Sequence, residues 1–427
     1  MRTLRAGLEA VRRRMVSIAI LGLIALGAVL LARGAWLSAR PEPDSDVWIA
    51  YIFGVDATDR ATAYYGTKEI FVTDIDGQQR YQLTDSQDLE SFPAWSPDGA
   101  WLAFTRAQNE HYVTYDEVAW MRPGASPLNC NPYSIDSMPV WSPDSRMIAF
   151  SSNESAPGGA NFPIYVSPAE SCQPTRLLPA GKGGKLTGWS PDGEWLLFVA
   201  GWKGPLHRMR ADGSDVTPLA ADEEIYHAGW SPDGAWIAYE TTAGGHRQIY
   251  RIRPDGSDAL RLTAIAGADN DSLAWSPDGR WLAFRSLRQI GVDERSGRQR
   301  YESSIYRVRP DGSELTLITG SGDHQPSWSP DGQWLAFVSD RTGRDEIYRV
   351  RPDGSEVRQL THSDTGSSIR PAWGKLPAEC VQAIHNQSHR GDRRQIWLGL
   401  IALTAGGAGT LWVAGLRARR RRAAQGV

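Results

Sequence analysis

Six times the chain reads Trp-Ser-Pro-Asp, beginning at Trp95, Trp141, Trp189, Trp230, Trp275 and Trp328, at intervals of 46, 48, 41, 45 and 53 residues. Self-similarity at that period signals a propeller or a solenoid, in which one supersecondary unit is repeated. Each motif is followed by a short apolar stretch, at residues 101–104, 147–150, 195–198, 236–239, 281–284 and 334–337. The turn between the two is suited to a hairpin. Pro presets φ, Asp bonds its own backbone, and Gly accepts a positive φ.

A third strand and a second turn are plainest in Ile249-Tyr250-Arg251-Ile252-Arg253-Pro254-Asp255-Gly256 and its copies from Ile305 and Ile347. A fourth strand ends in Leu-Thr, as at Leu262-Thr263 and Leu360-Thr361. Four strands in about 45 residues make a propeller blade, whereas a β-solenoid has shorter coils. The 18 Trp and 43 Gly of the 427 residues agree with short strands joined by tight turns.

The ends of the repeat set the blade count. Three strand patterns, at 47–53, 69–74 and 81–84, precede the first motif, and one first strand, Arg370-Pro371-Ala372-Trp373, follows the last unit. Pairing the C-terminal strand with the N-terminal three completes a blade and removes open sheet edges. The expected fold is therefore all-β, a seven-bladed propeller of four-stranded blades over 46–375.

Residues 15–32 and 396–416 are uncharged, apolar and each long enough to cross a bilayer as a helix. Arginines at 2, 5, 12, 13 and 14 precede the first, and those at 417, 419, 420, 421 and 422 follow the second. By the positive-inside tendency, the basic tails 1–14 and 417–427 are cytoplasmic, with the propeller and a linker at 376–395 outside. A cleaved signal peptide is the rival reading of the first segment; it lacks a clean small-x-small cleavage site. The basic ends carry +4 and +5 of a total of −3, leaving the body at −12, which argues against nucleic-acid binding.

These repeats resemble the TolB-like propeller family, whose unit is written around Trp-Ser-Pro-Asp-Gly followed by an apolar strand. The resemblance covers about residues 46–375 and is specific for fold. It implies a periplasmic propeller with a binding role inside the envelope. No counterpart of the extra N-terminal domain of TolB, or of the hydrolase domain that a related propeller precedes in prolyl peptidases, is expected within these residues.

The repeated aspartates 98, 144, 192, 233, 278 and 331 suit a hard cation by type, but they recur in the same turn of every blade and cannot converge on one ion. They read as turn formers, and the tryptophans as packing between blades. The variable positions before each first strand are better binding candidates, because first strands line a propeller's channel. Glu90, Asp136, Tyr226, His227, Asp271, Asp323, His324 and Arg370 would rim one mouth of it. Asp323, His324 and His227 lack metal-ligand spacing, so no metal or other cofactor is expected. Insertions at 57–68 and 289–303 would fall on the same face and could grip a partner.

Cys130, placed at the end of an outermost strand, and Cys172, in a turn on the opposite face, are not expected to pair with each other; Cys380 completes an odd count. The sequence has no Gly-x-Ser-x-Gly elbow, phosphate-binding Gly-rich loop or Cys-x-x-Cys. The expected function is capture or scaffolding of a protein, peptide or glycan outside the membrane, at the periplasm or cell surface. The alternative is a hydrolase or lyase with its site at the channel mouth.

Overall fold

Every Trp-Ser-Pro-Asp motif closes a hairpin in the same way. In the first, the Ser96 hydroxyl donates to Asp98 Oδ1 (2.6 Å) and accepts from the Trp101 N–H (2.9 Å). The Ala100 N–H also donates to Asp98 Oδ1 (2.9 Å). The pattern recurs at Asp144, Asp192, Asp233, Asp278 and Asp331. These carboxylates are consumed locally as turn braces.

In the computed structural model the described residues are 47–55, 68–86, 88–110, 113–129, 139–152, 162–179, 182–201, 203–292, 297–320, 322–376 and 380–381. The chain divides into units Met1–Ser45 and Asp46–Val427, the first wholly outside the described residues. Both apolar segments read above as transmembrane helices also lie outside them. Among the described residues no helix is long and apolar enough to cross a membrane.

Within each repeat up to four strands pair antiparallel; among the described residues the sheets hold eight, four, seven, four and four strands, because neighbouring repeats join at two places, once through a parallel pairing of Lys68 with Leu89. First come β1 (Val47–Val55), β2 (Lys68–Asp74) and β3 (Arg80–Gln82). Next are β4 (Leu89–Trp95), β5 (Leu102–Glu110), β6 (Val113–Met121) and β7 (Leu128–Asn129). A third set is β8 (Val140–Trp141), β9 (Met147–Ser151), β10 (Ile164–Pro168) and β11 (Thr175–Arg176). Then follow β12 (Gly184–Trp189), β13 (Trp195–Ala200), β14 (Gly204–Arg210) and the long β15 (Thr217–Trp230). β15 pairs with β14 through Thr217, Pro218 and Ala220, then with β16 (Ile237–Thr241) from Ile225 to Trp230.

β17 (Gln248–Ile252) and β18 (Leu260–Arg261) complete that sheet. The last full sets are β19 (Ala268–Trp275), β20 (Leu282–Val292), β21 (Gln299–Val308) and β22 (Thr316–Leu317), then β23 (Asp323–Trp328), β24 (Leu335–Ser339), β25 (Glu346–Val350) and β26 (Arg358–Gln359). Finally β27 (Gly366–Lys375) pairs antiparallel with β1, so the C-terminal strand does join the N-terminal three.

Both faces of the inner strands are buried, as along β16, β24 and β25, and this is why they read as near-continuous apolar runs. Trp48, Ala50 and Ile52 of β1 pack with Trp95, Leu102 and Phe104 of the next set, whereas Ile49 and Tyr51 pack with Trp334, Ala336 and Val338 of the preceding one. Ile49 and Ile52 are fully buried, each contributing about 1.5–3 kcal/mol. The first-strand tryptophans also stitch neighbouring sets. The indole N–H donates to a backbone carbonyl of the preceding first strand from Trp141 (Ala94), Trp189 (Val140), Trp275 (Gly229), Trp328 (Ala274) and Trp373 (Ser327), at 2.8–3.2 Å.

Within the 289–303 insertion β20 and β21 continue pairing out to Val292 and Gln299, so much of it is a two-stranded ribbon. One expectation needs correction. Cys172 is disulfide-bonded, contrary to the separation argued from its turn. Cys130 itself, and the 57–67 part of the first insertion, lie outside the described residues.

Candidate functional site

The first strands converge on a cavity of about 610 Å³, lined from β4 by Phe92 and Pro93, from β12 by Lys185 and from β15 by Tyr226 and His227. β19 supplies Asp271, Ser272 and Leu273, β23 supplies Gln325 to Ser327, and β27 supplies Arg370 and Pro371. Pro139, just before β8, completes a contribution from every first strand.

Backbone geometry turns these side chains inward. At the third residue before the first-strand Trp, Phe92, Ser272, Gln325 and Arg370 adopt φ of +51°, +56°, +54° and +57°. The antiparallel register slips at the same place, between Ser91 and Ala94, Asp271 and Ala274, and His324 and Ser327. A bulge with a left-handed non-glycine residue re-aims its neighbours, at a cost of about 1–3 kcal/mol for each such residue.

Of the rim residues inferred from sequence, Tyr226, His227, Asp271 and Arg370 meet in this cavity. Glu90 and Asp323 do not. They stand two residues before the bulge, where strand alternation turns them into the sheet, and both are fully buried. Glu90 accepts from Thr84, from Ser86 (3.3 Å) and from Arg106 (3.3 Å). Asp323 takes both its oxygens to Arg341 Nη2, at 2.9 and 2.8 Å. His324 lies 3.6 Å from Asp345, outside the cavity lining. Asp136 is outside the described residues.

Sequence reasoning missed the second layer of the wall, Glu240 on β16, Arg247 before β17 and Arg285 on β20. The signal was available. Ten residues after the first-strand Trp, other sets carry Thr105, Ser151, Val199 or Val338, so Glu240 and Arg285 are charges on strands that are otherwise buried.

These groups form a linked network. Asp271 accepts from Arg285 Nε (2.7 Å) and Nη2 (2.6 Å), and from Arg247 Nη1 (3.1 Å). Arg247 also lies 4.1 Å above the Tyr226 ring and 4.0 Å from Glu240. Glu240 accepts from the Leu273 N–H (3.1 Å). Burial, reinforced by the Asp271 charge, pushes its carboxyl up to about 7. Lys185 donates to the Tyr226 carbonyl (3.2 Å). His227 keeps some surface open to the cavity, but protein closes round it; that desolvation, with the Lys185 charge, lowers its pKa to about 4. Ser272 donates to Asp271 (3.2 Å). Among the described residues no cluster of His, Cys, Asp and Glu could hold a metal ion.

Residues 62–223 match the TolB beta propeller domain family, PD40. The Protein TolB homolog of Chlorobium chlorochromatii (strain CaD3) is 52% identical over 40 residues, which are 9% of this chain and 9% of that one. TolB from Acinetobacter baumannii aligns over 78% of this chain and 68% of its own, at 21% identity and a TM-score of 0.49. A puromycin hydrolase aligns over 76% and 55%, at 16% identity and a TM-score of 0.55, a likeness that carries the fold alone. The six Trp-Ser-Pro-Asp units and the strand pairing they encode are similar to the TolB beta propeller domain, whose family match spans residues 62–223 of this chain.

Proposed function

We propose that the chain is a membrane-anchored propeller of seven blades, ring-closed by β27 with β1, β2 and β3, whose channel captures a protein, peptide or glycan outside the cytoplasm. The observation that carries this reading is the cavity itself. Its size suits a ligand or an inserted segment, and its mix of aromatic, proline and charged lining is that of a recognition site. Anchoring rests on the uncharged segments 15–32 and 396–416 and their arginine flanks.

The test is affinity capture from mildly solubilised membranes. It compares the native chain with one carrying Lys185→Ala, Tyr226→Ala and His227→Ala, and with a control carrying Val216→Ser and Leu317→Ser at exposed positions away from the cavity. Partners retained by the control and lost by the cavity variant are the expected result. Partners held equally by all three would remove the channel from the reading.

A channel enzyme is the second reading, favoured by one observation: Glu240, with its pKa near 7, borders the cavity and is poised to exchange a proton. Hydrolysis or elimination by the purified chain that is abolished in Glu240→Gln would favour it over capture.

A further inference from the structure

The cavity's charges do not balance. Four cations, Lys185, Arg247, Arg285 and Arg370, line it with two carboxyls, Glu240 and Asp271, although the body of the chain is acidic. Asp271 is already shared between Arg285 and Arg247. Arg370 has no such partner. Among the described residues no carboxylate lies within 4.0 Å of its guanidinium, which instead rests 3.7 Å above the Phe92 ring. Burial alone, with no countercharge, holds its pKa below the usual value. A half-buried cation left without a countercharge is costly, and proteins seldom retain one without use.

The backbone is built to keep it there. Arg370 sits at φ +57°, and its N–H donates to Gln325 Oε1 (2.9 Å), whose own residue sits at φ +54° on the neighbouring first strand. Pro371 and Pro326 follow directly, fixing the chain beyond each strained residue. Stacking a guanidinium face on an aromatic ring leaves its in-plane N–H fork available, and that fork matches the two oxygens of a carboxylate.

We infer that the channel recognises a carboxylate-bearing ligand, with Arg370, seated on Phe92, as the group that receives the carboxylate. This rests on the channel reading given above. The oxyanion chemistry is shared by carboxylates and phosphate. The apolar neighbours Phe92, Pro93, Leu273, Pro326 and Pro371 favour an organic acid over a hydrated inorganic anion.

The test is calorimetric titration of the full-length chain in neutral detergent, at constant ionic strength, with glutarate, glutaramide and inorganic phosphate. Glutarate is expected to bind best and glutaramide at least roughly 10-fold more weakly, with phosphate between them. Arg370→Gln should weaken glutarate roughly 10- to 100-fold, the worth of a charge-assisted hydrogen-bond pair. Phe92→Leu, which removes the ring but keeps the charge, should give a smaller loss, and it serves as the test if Arg370→Gln does not fold. Equal binding of acid and amide, no glutarate binding, unchanged glutarate affinity in either variant, or tighter binding of phosphate than glutarate overturns the inference.

The channel reading fails separately. Partners lost with the Lys185, Tyr226 and His227 substitutions but kept by Arg370→Gln would leave the channel standing and remove the carboxylate. Partners indifferent to all cavity substitutions, beside Arg370-dependent glutarate binding, would do the reverse.

Discussion

Glu240 and His227 set opposite pH responses within one cavity. With Glu240 near 7 in the folded chain against an ordinary 4.5, the folded state keeps a proton from pH 4.5 to 7 that the unfolded chain has released. Stability therefore falls as pH rises through that window and is level above it. His227, lowered to about 4 from 6.5, acts the other way: between pH 6.5 and 4 the unfolded chain takes up a proton that the folded state refuses, so stability falls as pH drops. Glu69, pushed by burial up to about 7, adds to the Glu240 direction. Glu240→Gln separates them, because its amide oxygen can still accept from the Leu273 N–H. The variant should match the native chain near pH 4.5 and be more stable at pH 8 by at most about 3 kcal/mol. Urea midpoints at the two pH values measure this. No gain at pH 8 would mean that the buried carboxylate is ionised there without penalty, its charge met in full by Arg247 and Lys185.

At the scale of strands, the first-strand tryptophans join each set to the next, and the pattern breaks in an informative place. Buried Nε1 of Trp95 and of Trp230 lacks an acceptor among the described residues. Trp95 lies against β27 at Gly374, where a Cβ would stand 2.2 Å from the indole Cγ. The six full repeats have Ser at the position after the Trp, and Gly374 replaces it. Gly374→Ser thus restores the repeat but overpacks the seam. It should cost about 1–3 kcal/mol, read as a lowered urea midpoint with unchanged slope; a neutral result would mean that Trp95 can move aside. The repeat made the hairpins, their turns and the β27–β1 pairing legible, because every copy states the same local chemistry. The continuous β15 was not legible in advance. It arises where the repeat is shortest, 41 residues from Trp189 to Trp230, leaving no room for a turn between one set and the next. The cavity was half legible. Variable first-strand positions pointed to it, but a bulge decides which of two adjacent side chains turns inward, and a single sequence does not mark where the register slips. Glu90 and Asp271 look alike in sequence, but Glu90 stands two residues before the left-handed residue of its bulge and Asp271 one, so alternation turns them to opposite faces.

For the molecule as a whole, the decisive contact is between residues more than 300 positions apart. β1 and β27 pair from Val47↔Lys375 to Val55↔Gly366, with a register shift after Ala50↔Ala372. Asp76, in the turn after β2, accepts from Arg349 (2.7 Å) on β25 and from Arg358 (2.9 Å) on β26, a second tie between the two ends of the propeller. Such contacts form late, since closing so long a loop carries a large entropy cost before any pairing offsets it. A covalent link placed there reports directly on the pairing. Ala50 and Ala372 are opposed, small and buried or partly buried within one cluster, and opposed antiparallel residues have Cα atoms about 4.5–5.5 Å apart, within disulfide range. The double variant Ala50→Cys, Ala372→Cys should therefore oxidise spontaneously, migrate faster than its reduced form under denaturing conditions, and raise the unfolding midpoint. The chain-entropy estimate for a loop of this length is up to about 5 kcal/mol, reversible with a thiol reductant. If the cysteines stay reduced in folded protein under air, β27 does not rest beside β1 in solution. A bond that forms without raising the midpoint would instead mean that the ends still pair in the unfolded chain, or that the new sulfurs strain the bulge at Ala50 by as much as the link stabilises it.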